Sequence, residues 1–324
     1  MSSKIKVVVY KNPKNEKDIT ELVQKVTWSG KDGTPFRSLE VSYVESKKFG
    51  RVKIDVLGGT HCYFKYDGKV LFSGIIRQVN PCSGQTSSFK AYDKGWYLSN
   101  SEDSFSFKKR KADYIFEKVC KRFGLSVGSV SECKKTIAEI SKNGKGWDII
   151  QTALEKEFKH TGIRHTVTVS DGKINLLKKR ENVVKWILDT DTNIISWNYT
   201  ESIEKVKTRA KVYSSKSKKS AVANDKELEK KIGIVQVFKS ESDKKKSNLN
   251  GLAKSLLREN KKAEQKLTIK AKGLISMRTG RGAYIIIPGV DIKRVYYINQ
   301  DRHTWEGDKY TMSLTLTKAT DLSY

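Results

Sequence analysis

Side chains able to carry chemistry are scarce in this 324-residue chain, which has four cysteines and four histidines. Cys62, Cys82, Cys120 and Cys133 lie at spacings that fit neither a zinc ligand set nor a redox pair, so all four are expected as reduced structural thiols. Cys120 falls on the apolar side of a helical pattern, where a thiol packs as a small hydrophobe. His160 and His165 stand five apart across an expected helix end, and no cysteine or carboxylate cluster beside them completes a metal tetrad. Asp148, Asp189 and Asp191 can be paired on paper as catalytic carboxylates, yet Asp189-Thr190-Asp191-Thr192-Asn193 reads more simply as a turn. There is no Gly-x-Ser-x-Gly elbow, phosphate loop or dinucleotide fingerprint. The nearest glycine cluster, Arg278-Thr279-Gly280-Arg281-Gly282, lacks a Lys-Ser/Thr ending and precedes a strand pattern. It is expected as a tight connection exposing Arg278 and Arg281. These absences argue against an enzyme.

Long apolar runs are also missing. Nothing approaches the roughly 20 residues a membrane helix needs. The opening Met1-Ser2-Ser3-Lys4-Ile5-Lys6-Val7-Val8-Val9-Tyr10 begins a strand pattern and has no apolar core or cleavage site of a secretory signal. The expectation is synthesis and retention in the cytosol, or exit by a route other than signal-peptide export.

Acidic residues are few for so charged a chain, 36 against 64 basic, giving a formal net charge of +28. The excess is spread along the sequence, +8 in 1–100, +6 in 101–200 and +14 in 201–324. Arginine is the minor cation, 13 residues against 51 lysines. Readers of phosphate forks and guanine edges favour arginine for its planar fork, whereas a lysine excess suits solvated surface or unspecific attraction to anions. The runs Lys108-Lys109-Arg110-Lys111, Lys216-Ser217-Lys218-Lys219 and Lys244-Lys245-Lys246 fall in expected loops or helix starts. Phe105 and Phe107 precede the first run, but no aromatic lies within the other two, and nucleic-acid grooves interleave charge with stacking rings. A basic β-barrel that binds nucleic acid non-specifically is therefore the rival reading.

What is present is periodicity. At 37% hydrophobic and 10% aromatic residues the chain can fill two or three domain cores. Residues 1–100 alternate as strands at Ile5–Tyr10, Leu39–Tyr43, Val52–Val56, Gly74–Val79 and Ser88–Asp93. Between Tyr63 and Phe72, Asp67-Gly68 supplies the two positive-φ residues of a tight hairpin turn. Residues 101–196 change period. Ala112, Ile115, Phe116, Val119, Cys120 and Phe123 share one helix face, with Gly124 at the cap position. Trp147, Ile150, Ala153, Leu154 and Phe158 mark a second helix that ends near Thr161-Gly162, and Asp171-Gly172 centres a second hairpin.

Residues 197–324 return to strands at Thr208–Tyr213, Gly233–Phe238, Gln265–Ala271, Gly282–Ile287 and Tyr310–Leu316. One helix carries Leu249, Leu252, Ala253, Leu256 and Leu257 on a single face. The polar stretches 214–231 and 240–247 are expected as loops. The fold class expected is α+β, mainly β, with domains at 1–100, 101–196 and 197–324.

Order and spacing of short landmarks connect the chain to a known family. They are Asp18-Ile19-Thr20-Glu21-Leu22-Val23, Val26-Thr27-Trp28, Ala91-Tyr92-Asp93 with Trp96-Tyr97-Leu98, and Lys111-Ala112-Asp113-Tyr114-Ile115-Phe116. Further along come Phe123-Gly124-Leu125-Ser126-Val127-Gly128, Trp147-Asp148-Ile149-Ile150, Gly233-Ile234-Val235-Gln236, Ala253-Lys254-Ser255-Leu256-Leu257 and Met312-Ser313-Leu314-Thr315-Leu316. On these the chain resembles the XkdQ/YqbQ family, baseplate hub proteins of contractile phage tails and of phage-derived tail-like particles in Gram-positive bacteria.

The resemblance implies a structural hub with no catalysis, no cofactor, no membrane and no small-molecule substrate. Three copies would form a ring between a hexameric tail tube and a trimeric central spike. Each copy would contribute two tube-like β-barrels, here the opening and closing blocks, with the α+β middle facing the spike or wedge side. Implied partners are the tail tube protein, the central spike protein, LysM-type and wedge baseplate proteins, and a contact with the tape-measure protein. The product would be made in the bacterial cytoplasm and built into a tail or tail-like particle. For such a ring, interface positions are expected at Arg278, Arg281, Lys293 and Arg294. The charge departs from expectation, because a strongly positive lumen retards DNA. A headless, bacteriocin-like tail removes that constraint. A tail-associated peptidoglycan hydrolase would need a catalytic glutamate or zinc triad that the sequence lacks.

Overall fold

The computed structural model describes residues 4–12, 14–44, 56–82, 86–179, 183–241 and 248–318. Among these residues it is mainly β, with 54% strand and 20% helix. Two compact units are present: Met1–Trp197 together with Thr268–Tyr324, and Asn198–Leu267.

In the larger unit the opening strands are β1 (Ile5–Tyr10), β2 (Glu16–Asp18), β3 (Val23–Lys31), β4 (Arg37–Val44), β5 (His61–Tyr66), β6 (Lys69–Asn80) and β7 (Thr86–Tyr92). Alternation does the work of placing them: on β4, Leu39, Val41 and Tyr43 are buried and the residues between them are not. Asp67 and Gly68 both adopt positive φ, as the hairpin turn between β5 and β6 requires. The expected strand at Val52–Val56 lies, but for Val56, outside the described residues.

The middle segment holds α1 (Trp96–Asn100), β8 (Glu102–Arg110), α2 (Ala112–Arg122), β9 (Val127–Val130), β10 (Ile137–Lys145), α3 (Gly146–Thr161), β11 (His165–Ser170) and β12 (Lys173–Lys178). Both helices end as the sequence indicates. Gly124 takes a positive φ after α2 and lets the Leu125 N–H return to the Cys120 carbonyl, while Gly162, also at positive φ, ends α3 with its own N–H on the Phe158 carbonyl. The apolar faces of α2 and α3 meet over a core that includes Ile115, Phe116, Val119, Ile149, Ile150 and Leu154. The basic run Lys108–Lys111, expected in a loop or helix start, finishes β8 and reaches the N-cap of α2 at Lys111; the only fully buried side chain of β8 is Phe105.

Next come β13 (Val183–Asp189) and β14 (Ile194–Ser202), joined by the turn expected at 189–193. The smaller unit carries β15 (Arg209–Ser214), β16 (Ser220–Asn224), α4 (Lys226–Ile232), β17 (Gln236–Glu241) and α5 (Leu249–Asn260). Its three strands run in the order β16-β15-β17, and Ala253 and Leu257 of α5 are buried, Ala253 beside Val212 and Ala221. The loop expected at 214–231 is thus corrected to a strand and a helix. Asp225 caps the helix by accepting from the Leu228 N–H, and Gly233 at φ +82° ends it, which delays the following strand to Gln236. Of the stretch 240–247, residues 242–247 lie outside those described.

The closing strands are β18 (Glu264–Lys272), β19 (Gly282–Ile287), β20 (Ile292–Glu306) and β21 (Lys309–Lys318). Opening and closing strands, expected as two separate barrels, share one 13-stranded sheet, and no closed barrel is detected among the described residues. The sheet path runs β14-β18-β21-β20-β3-β4-β7-β6-β5-β1-β2, with β19 pairing β20 and β13 pairing β19. The join is the antiparallel pairing of β20 with β3, Gln300 opposite Lys31 through Glu306 opposite Lys25. Trp305 of the closing segment is buried in the opening segment's core, its ring 4.8 Å from that of Phe64.

Candidate functional site

The β3–β20 join is built around charge. On β20, Asp301, His303 and Trp305 point inward, facing Gly30, Trp28 and Val26 of β3. Gly30 is the position that admits a partner: a β-carbon there would lie 2.3 Å from Arg37 Nη1, so only glycine leaves the guanidinium its place. From β4, Arg37 Nη1 donates to Asp301 Oδ1 at 3.0 Å while its Nη2 donates to Oδ2. The Thr279 N–H and hydroxyl both donate to Asp301 Oδ1 at 2.7 Å. Burial alone would raise the Asp301 carboxyl, but the Arg37 charge and the hydrogen bonds from His303 and Arg37 outweigh it and hold the group well below the usual carboxylate range.

His303 is equally enclosed. Its Nε2 lies 3.0 Å from the Met277 carbonyl oxygen and its Nδ1 lies 2.8 Å from the Tyr310 hydroxyl. The Met277 carbonyl can only accept, so Nε2 carries a hydrogen and donates to it. Burial drives the Tyr310 hydroxyl far above the ordinary phenol range, so it stays a donor. Arg37 stacks 3.9 Å above the Trp28 ring, with Arg278 at 5.8 Å. Burial, then the neighbouring Arg281 and Arg37 charges, brings Arg278 down to about 10. The arrangement ties Arg37 of β4 and Thr279 to Asp301 of β20. It fastens two distant parts of the chain together.

The four expected interface residues divide. Arg278 and Arg281 are half-buried against this join, not exposed as expected from the glycine cluster; Arg281 Nη1 donates to the Ser276 carbonyl at 3.2 Å. Arg278 lies over the Trp28 ring, and the Asp301 charge offsets part of the cost of its burial. Lys293 and Arg294 are exposed on the far end of β20, opposite Ile286 and Ile285. From Lys293 to Ile298 the strand runs roughly 16 Å at 3.3 Å per residue.

Missed by the sequence reading were Gly30, Arg37, Thr279, Asp301 and His303. A signal existed: Asp301, His303 and Trp305 fall at alternate positions, a phase that places the first two inside.

Elsewhere the scarce chemistry stays inert. His160 is exposed on α3, whereas His165 is buried on β11 with its Nε2 3.8 Å from Cys133 Sγ. Burial pushes the Cys133 thiol up to about 12, which denies it a thiolate. Asp189 Oδ1 accepts from the Asp191 N–H inside the turn, and Asp148 occupies the first turn of α3. Among the described residues no three of His, Cys, Asp and Glu are grouped to hold a metal, and no helix is long and apolar enough to cross a membrane.

Exposed apolar side chains mark other surfaces. In the larger unit, Ile187 on β13 and Ile195 and Trp197 on β14 are open to solvent. In the smaller unit, Val222 and Phe238 stand exposed on either side of Lys211, across β16, β15 and β17.

With the architecture in view, its kinship is direct. The fold is that of prophage tail proteins. A 43 kDa tail protein of prophage MuSo2 from Shewanella oneidensis superposes with a TM-score of 0.75 over 98% of this chain and 100% of its own, at 11% identity. A tail protein from Neisseria meningitidis MC58 gives 0.70 over 97% of each chain, at 14% identity. The chain belongs to the YQBQ-like family, whose sequence profile matches residues 26–317. It is 30% identical over 288 residues to the phage-like element PBSX protein XkdQ of Bacillus subtilis (strain 168), covering 87% of this chain and 88% of that one.

Proposed function

We propose that the chain is a non-enzymatic baseplate hub of a contractile tail or tail-like particle, three copies forming a ring that adapts a hexameric tail tube to a trimeric central spike. The observation that carries this reading is the β3–β20 pairing, which sets the opening and closing strands side by side in one sheet. A threefold ring of such chains offers six β segments to a sixfold tube. Family membership and whole-length likeness to prophage tail proteins support the setting.

Charge directs the choice of neighbours. Three copies at +28 each repel one another, so the ring calls for acidic surfaces on the proteins that cap it. The tube, the spike, the LysM-type and wedge proteins and the tape-measure protein are the partners proposed. The exposed side chains Ile187, Ile195, Trp197, Lys293 and Arg294 are proposed as contact positions, together with Arg278 and Arg281 behind them.

The test is light scattering on the chain alone and mixed with the tube and spike proteins of the same tail. The expected outcome is a complex containing three copies. A chain that remains single in the presence of both, at physiological salt, rules the hub out.

A further inference from the structure

One groove among the described residues belongs to no interface proposed above. It is a groove of about 630 Å³ between β8 and α2, walled by Ser104–Lys108 and Arg110 on one side and by Tyr114, Lys118, Lys121 and Arg122 on the other. Five of its lining residues are cations and none is a carboxylate. Lys108 leans to Glu139 at 4.0 Å and Arg122 to Asp103 at 2.9 Å. Arg110, Lys118 and Lys121 have no carboxylate within ion-pair distance among the described residues. Arg110 and Lys118 instead rest on the Tyr114 ring, at 4.7 and 5.2 Å.

A second feature points to the class of ligand. Among the described residues β8 pairs with β10 alone, in a two-stranded sheet, so its other edge offers backbone N–H and C=O groups in alternation. A nucleic-acid backbone presents phosphate acceptors, which answer the N–H groups and leave the carbonyls unmet. An extended polypeptide answers both. The cationic wall then selects its side chains.

We propose that this groove takes an extended acidic segment of a partner protein, which adds as a strand to the free edge of β8 while its carboxylates meet Lys118, Lys121 and Arg110. The groove asks nothing of the threefold ring, so either can fail alone.

The test is fluorescence anisotropy with a labelled eight-residue peptide of alternating Glu and Val at ~150 mM salt, where exposed charges are screened beyond about 8 Å. Two competitors are needed: the same peptide N-methylated at every second residue, and a single-stranded oligonucleotide of equal charge. We expect the plain peptide to bind, N-methylation to weaken it at least tenfold, and the oligonucleotide to compete poorly. The double variant Lys118→Glu/Lys121→Glu should lose at least tenfold, whereas Lys226→Glu/Lys230→Glu on α4 should not. Absence of peptide binding, or equal binding of the N-methylated form, overturns strand addition. An oligonucleotide that binds as tightly as the peptide reassigns the groove to nucleic acid and likewise overturns it.

Discussion

Arg37 and Asp301, 264 positions apart in the chain, hold each other through two parallel hydrogen bonds in a setting almost closed to water. A buried ion pair of this kind is costly to break, because removing one partner strands the other's charge. Asp301→Ala and Arg37→Ala should each lower stability by about 3–5 kcal/mol, read as a shift in the urea midpoint. A loss under about 1 kcal/mol for both would mean that the two segments are joined by something else.

The same carboxylate sets an acid limit. The folded protein holds Asp301 below its ordinary value of 3.8, so as pH falls the unfolded chain takes up the proton first. The stability it contributes is complete above about pH 4 and is lost below it. Denaturation midpoints measured from pH 6 down to pH 2.5 should drop less steeply in Asp301→Asn than in the wild-type chain.

Asp93 works in the opposite sense. It accepts from the Arg37 and Gly95 N–H groups at 2.9 Å each, yet burial outweighs these and pushes its carboxyl up to about 7. Between 3.8 and about 7 the folded chain keeps a proton that the unfolded chain has released. Stability should therefore fall as pH rises through that window, by at most about 1.4 kcal/mol per unit. Asp93→Asn, which stays uncharged, should flatten the slope between pH 5 and 7; an unchanged slope would assign it to other groups.

Trp305 stacks on Tyr310 at 4.5 Å between centroids, in addition to its contact with Phe64. Trp305→Ala should cost about 3–5 kcal/mol, as large aromatic deletions in well-packed cores do. Trp305→Phe should cost less, and thermal melts of the pair provide the comparison.

Thiol access offers a further check. Cys62, Cys120 and Cys133 are buried and burial raises all three, to about 12 for the latter two. A disulfide reagent at pH 8 should titrate a single thiol, Cys82, in the native protein and all four in denaturant.

Much of this architecture is written in simple periodicities. The helix faces of α2, α3 and α5, the two Asp-Gly hairpins and the opening-block strands expected at Ile5–Tyr10, Leu39–Tyr43, Gly74–Val79 and Ser88–Asp93 follow apolar spacing, and the structure has elements at those places. β20 was harder to see. Its buried positions run Ile292, Tyr296, Ile298, then Asp301, His303, Trp305, so the inward phase slips by one residue at the bulge near Asn299. Two of the inward residues beyond the slip are polar, and a reading that seeks apolar residues inside passes over them. β8 was obscured for a related reason: with Phe105 alone fully buried, it looks like a charged loop. Burial of polar groups depends on partners far away in sequence, and Arg37 could not be assigned to Asp301 from spacing alone.

The smaller unit is rooted in neighbouring strands. Within it Gln265 bonds to Glu201, Lys205 pairs with Glu264, and the Lys207 N–H reaches the Asn260 carbonyl, so its incoming and outgoing chain run close together. A segment whose two ends run so close together can be lengthened, trimmed or exchanged without redrawing the strand order of β1 to β7. Its nineteen basic and nine acidic residues give it a net positive charge of its own, which substitutions within the unit can alter while the rest of the chain keeps its pattern.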